Sequence, residues 1–249
     1  MQPIIWSPQQ LRLTVFPDKL FDLPEPGWWV KLLGEPPEER KVKSKELSQV
    51  EQGGFRKGKL MLNITAARID WTYTAPISDE MEIDMSMGMP TLGSFESALD
   101  DFRSIVGRWL TEMCPAIARM AFGAILLYPA ENHEKGYELL GKYLPEMRVD
   151  PQGSSDLLYQ INRPRVSKTG ISELRINRLS KWGVLKAQVH LFSAGKGVIK
   201  DLGAFATRLE LDINTNQDFG GELPQEKLNL LFEELIDLGR EIGVKGDIA

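Results

Sequence analysis

Residues 94–128 read SFESALDDFRSIVGRWLTEMCPAIARMAFGAILLY, and this stretch decides the class of fold. Ser94 stands where a helix N-cap belongs, and Phe95, Leu99, Phe102, Val106, Trp109 and Met113 recur at helical spacing until Pro115 stops them. Residues 116–128 then turn almost continuously apolar over a short span, which predicts a buried strand. A long amphipathic helix running straight into such a strand implies that helices and a sheet share one core.

Toward the N-terminus, Leu11, Leu13 and Val15, then Leu60, Leu62 and Ile64, then Ile69, Trp71 and Tyr73 alternate with their neighbours as strands do, and the last two groups predict a hairpin. Between the first strand and that hairpin, 34–58 combines prolines, mixed charge and the Gly53-Gly54 pair, and reads as a long loop with one helical turn near 44–52. Met81, Ile83, Met85, Met87 and Met89, at spacing two, predict a further strand. Their thioethers read as adaptable packing and not as copper ligands, so no metal site is expected.

Toward the C-terminus, 131–144 predicts a shorter helix with Tyr137, Leu140 and Leu144 facing inward. After a Pro-Gly-Ser turn at 151–155, segments 156–163, 172–179, 184–192 and 206–213 read as an antiparallel sheet. Ser193 to Gly203 carries three glycines with Lys196 and Lys200, but it joins strand to strand, so a hairpin connection is expected in place of a phosphate loop. Pro224 suits a first helical turn, and Leu228, Leu231, Leu235, Leu238 and Ile242 mark one face of a last helix. The expected architecture is α+β: two lobes of mainly antiparallel sheet, 1–150 and 151–249, each followed by a long amphipathic helix, with one continuous domain as the alternative. The parallel order of the halves also raises an ancient duplication, which their sequences do not support by identity.

Charge along the chain is segregated. Ile69 to Asp101 holds eight acidic residues and no Lys or Arg, whereas Pro151 to Leu209 holds ten basic residues against three acidic. Opposite runs can pack on each other, or one can face a charged partner. A pI near 5.3 argues against nucleic-acid binding by the whole surface but not by a local stripe. The single Cys114 excludes an intrachain disulfide framework and reads as a buried, inert thiol. The opening MQPIIWSPQQLRL lacks a basic stretch followed by an apolar one, and the longest apolar run, Met120 to Leu127, is too short to span a bilayer. A cytoplasmic protein without a membrane role is the expectation.

No HExxH, GxSxG, Walker A or GxGxxG pattern occurs. The candidate acid/base set is His190 with Glu210 or Asp212, and with Arg175 and Asn177 nearby if the strands pair in suitable register. The bland reading is a solvated outer face of an antiparallel sheet, and it is the stronger one. His133, in an acidic helix start, reads as a surface residue. Arg163, Arg165, Lys168, Arg175, Arg178, Lys181 and Lys186 could follow a phosphate backbone, with Tyr159, Trp182 and Phe192 as stacking rings. Against that, Tyr159 shares the apolar phase of Leu157 and Ile161, and Arg175 and Arg178 fall on opposite faces of a strand. Docking on the chain's own acidic segments, or on an acidic protein, is the preferred reading. Of Trp28 and Trp29, which point apart if extended, one reads as core and Trp28 as an exposed interface anchor.

The run from Phe95 to Trp109 into Arg119-Met120-Ala121-Phe122-Gly123, together with Leu209-Glu210-Leu211-Asp212-Ile213 followed by a helix over 228–242, resembles a sporadically distributed, functionally uncharacterised bacterial family of about this length. The resemblance implies a bacterial cytosolic protein with an accessory role, such as defence or conflict, and transfers no catalytic residue. The leading expectation is a non-enzymatic module that binds a protein partner through complementary charge, with no cofactor. The alternatives are a nucleic-acid-binding accessory protein using the 163–186 stripe and a hydrolase or transferase using His190.

Overall fold

In the computed structural model Ser94 caps its helix as expected: its Oγ accepts the N–H of Ser97. The structure describes residues 4–22, 25, 27–43, 46, 48–76, 89–193 and 196–247, without the side chains of 188–202. In chain order the elements are β1 (Ser7–Pro17), α1 (Trp28–Leu33), β2 (Glu39–Lys43), β3 (Ser48–Phe55), β4 (Gly58–Thr65), β5 (Arg68–Thr74), α2 (Phe95–Glu112), β6 (Ile117–Ala130), α3 (His133–Tyr143), β7 (Leu158–Asn162), β8 (Arg165–Val166), β9 (Arg175–Ser193), β10 (Lys196–Thr215) and α4 (Leu228–Lys245). Met81, Ile83, Met85 and Met87 lie outside the described residues.

The strands form one antiparallel sheet in the order β2-β3-β4-β5-β1-β6-β10-β9-β7, with β8 on β9. α+β is therefore the class of fold. The two-lobe arrangement is not established, because β1 and β6 hydrogen-bond the N-terminal strands to β10 of the C-terminal half. One cluster of buried residues likewise draws on both halves, from Trp6 to Ile242.

Alternation explains the layering. Leu11, Leu13 and Val15 of β1, Met120, Phe122 and Leu126 of β6, and Leu209, Leu211 and Ile213 of β10 all point to one side, where α2, α3 and α4 cover them. Phe232 of α4 meets Phe122 of the sheet and Phe102 of α2 edge-on, so one ring joins three elements. Arg103–Glu233 and Arg240–Glu96 clip α2 to α4. Cys114 is buried, and burial raises its thiol pKa. Among the described residues, no helix is long and apolar enough to cross a membrane.

Three local expectations are corrected. The 34–58 loop contains β2 and β3, a paired hairpin. Its period-two signal is carried on the buried side by polar Gln49 and Glu51, which a search for apolar alternation passes over. The segments expected at 172–179 and 184–192 are one strand, β9, and most of the Ser193–Gly203 loop belongs to β10. Trp28 is not an exposed anchor: it is buried in α1, stacked on Phe21 and edge-on to Trp109, because a helix, unlike an extended chain, turns both Trp28 and Trp29 into the core.

Candidate functional site

β9 carries most of the basic residues that the sequence singles out, and its pleat divides them. Arg178 shares the helix-covered side with Ile176 and Trp182 and is buried at 1% exposure, whereas Arg175 and Lys181 project from the opposite face. A continuous phosphate-tracking stripe is therefore not formed.

The arginines on the covered side meet acidic residues of α4 and the turn after it. Arg165 donates to Glu241 at 2.6 Å, and Arg178 reaches the same oxygen at 3.3 Å. Arg163 grips Asp247 with two nitrogens, at 2.5 and 2.9 Å, while the Tyr159 hydroxyl donates to Asp247 at 2.5 Å. Burial opposes charge on Glu241, but Lys245, Arg165 and Arg178 outweigh it and lower its pKa. The hydrogen bonds from Arg163 likewise hold the Asp247 carboxyl below its ordinary range. Burial, then the nearby charge of Arg165, depresses Arg178, although a guanidinium stays protonated across the working pH range. Arg165 and Arg178 thus dock on α4, and Arg163 on the turn after it.

Alongside, a groove of about 400 Å³ runs between α4 and the 165–169 segment, lined by Arg165, Lys168, Leu230, Glu234, Asp237 and Glu241. Glu234 there accepts from the Ser167 hydroxyl and the Lys168 N–H.

The helix-free face of the C-terminal strands forms a second polar region. Glu210 lies opposite Lys181 in the register, with their charged groups 3.7 Å apart, and takes Arg208 at 2.9 Å. Two shallow depressions, about 150 and 290 Å³, share Lys181 and Glu210. Beside them an amide ladder crosses three strands: Asn162 donates to Asn177, Asn177 to Asn214, and Asn214 to Asp212. This ladder was not foreseen; three asparagines at outward strand positions were its only sequence signal.

His190 does not join this face. It pairs with Ile199, while Glu210 and Asp212 pair with Lys181 and Leu179. At about 3.3 Å per residue, the nine residues from Lys181 to His190 separate the backbones by roughly 30 Å. The register needed for the acid/base set is not the register formed. Lys186 lies with its ammonium 5.5 Å from the centre of the Phe205 ring.

The remaining feature is the length of the β9–β10 hairpin. β6 pairs with β10 only over 205–214, and β7 with β9 only over 179–183. Residues 188–193 and 196–201 continue outward and, among the described pairings, pair only with each other. Compared with protein-family models, curated proteins and solved structures, the chain matches none.

Proposed function

We propose that this chain is a non-enzymatic interaction module that holds an acidic partner protein with the β9–β10 ribbon. The observation that carries the reading is that 188–193 and 196–201, among the described pairings, pair only with each other. A two-stranded ribbon alone is marginal in water, and strand edges without a described pairing offer backbone donors and acceptors that a partner strand can satisfy. Its backbone register sets Leu191 across from Val198 and His190 across from Ile199. Lys196 and Lys200 outnumber Asp201 there in a chain of net charge −5, which favours an acidic partner surface.

In this reading the half from 151 to 249 supplies the grip and the half from 1 to 150 the scaffold, and the protein works in the cytoplasm. An accessory role in bacterial defence rests on the family resemblance alone. The internal neutralisation of Arg163, Arg165 and Arg178 weighs against the nucleic-acid alternative, and the strand register weighs against His190 acting with Glu210 or Asp212.

The test is cross-linking in the native host through a photo-reactive residue at Ser193, with nuclease treatment, beside a variant whose 188–201 segment is replaced by Asn-Gly. A stoichiometric, nuclease-resistant protein adduct that disappears in the shortened variant is the expected result. Adducts to nucleic acid, or protein capture that survives shortening, overturn the reading.

A further inference from the structure

The helix-free face continues beyond the C-terminal strands across β6, β1, β5 and β4. There Asp70 takes Arg68, and Glu210 takes Arg208 and Lys181. Arg12, Arg119, Lys59 and Arg175 stand outside these pairs and meet no carboxylate among the described residues, in a chain whose net charge is −5. Two of the four are laid flat on the sheet. Arg12 crosses Gly123 of β6, with Nη2, Nε and Cζ 3.3, 3.4 and 3.7 Å from where a Cβ would stand, so the missing side chain gives the guanidinium plane its seat. Arg119 lies over the Phe16 ring, 4.9 Å from its centre. Beside them, on β10, β9 and β7, runs the amide ladder of Asn214, Asn177 and Asn162, each amide keeping a second N–H beyond the one it gives to the ladder.

We propose that this face binds single-stranded nucleic acid, with Arg12 and the Arg119–Phe16 pair as stacking platforms, Lys59 and Arg175 on phosphates and the ladder on base edges. Planar cations laid on a sheet suit unstacked bases, whereas a duplex hides its bases and needs a protruding element to enter a groove. From β4 to β9 the face spans five strand spacings, roughly 24 Å, which gives room for a few nucleotides. An acidic protein is the poorer fit, because its interface needs an apolar centre. Among the described residues, the large apolar side chains that are well exposed on this face are Leu158 and Val166, both out on β7 and β8. The face is distinct from the 188–201 ribbon, and neither surface requires the other.

The test is fluorescence anisotropy of labelled oligothymidylate and oligouridylate, each of about 20 nucleotides, titrated with the full chain from about 50 mM sodium chloride upward. Binding to at least one of them is expected, weakening steeply with salt. Arg12→Gln and Arg119→Gln should each weaken it about fivefold or more, and Lys142→Gln, on α3 at the helix-covered side, should leave it unchanged. Should the first two fail to fold, the double variant Lys59→Gln with Arg175→Gln, at two exposed positions, is expected to lower the slope of log affinity against log salt by about 1.4. The variant with 188–201 replaced by Asn-Gly should bind as the unsubstituted chain does, which separates this face from the ribbon lysines. No binding to either strand at the lowest salt, unchanged affinity in the face variants, or loss of binding on shortening the ribbon overturns the proposal. Displacement by polyglutamate as efficient as by unlabelled oligothymidylate also overturns it and assigns the face to an acidic protein.

Discussion

The indole N–H of Trp6 donates to the carbonyl oxygen of Gly243 at 2.8 Å, tying the start of the chain to the last helix across 237 residues. Trp6 also meets Trp182 and Tyr143 edge-on, so this contact closes one end of the shared core. The helix that presents Gly243 is the one whose acidic residues receive the arginines of β8 and β9.

Removing the Asp247 charge should loosen that arrangement. Asp247→Asn leaves Arg163 without its anion in a mostly buried setting and is expected to cost roughly 3 kcal/mol at pH 7. The folded carboxyl titrates below its unfolded value, so its contribution is complete above about pH 4 and is lost as pH falls through the folded pKa. Urea titrations should therefore show the two proteins converging in strong acid.

Gly246 is required for the turn that delivers Asp247. Its φ is +81°, and a Cβ there would meet the Tyr143 carbonyl oxygen, whose partner is the Asp247 N–H. Gly246→Ala is expected to lose about 1–3 kcal/mol or more, with amide exchange quickening at the end of α4.

Phe232→Ala tests whether the halves share one cooperative core. Loss of a ring that touches both α2 and β6 should cost roughly 3–5 kcal/mol and lower a single calorimetric transition. Two transitions, only one of them shifted, would restore the separate lobes.

Glu51→Gln should stabilise the protein at neutral pH. Burial raises the Glu51 carboxyl above its ordinary value, although Arg40, Gln49 and the Trp29 N–H oppose this. An acid raised in the folded state loses stability as pH climbs from the unfolded toward the folded pKa. The advantage of the variant is thus expected above that window and absent below about pH 4, read as the difference in thermal midpoints.

The residue pattern alone determined the helices at 95–112 and 228–245 and the strands around Leu13, Leu62, Trp71 and Leu211, because each exposes its period through which residues avoid water. Charge runs of opposite sign are visible along the chain, but the acidic run at 69–101 is not what Arg163, Arg165 and Arg178 meet; they pair with Glu241 and Asp247. The β2–β3 hairpin escaped because Gln49 and Glu51 reverse the usual polarity of a buried face. Which residues meet was decided only by tertiary structure. Register carried His190 far from Glu210, and the pleat of one long β9 sent Arg178 inward and Lys181 outward. Strand pairing and the closing turn after α4 are long-range choices, so no local spacing encodes that Arg163 will find Asp247.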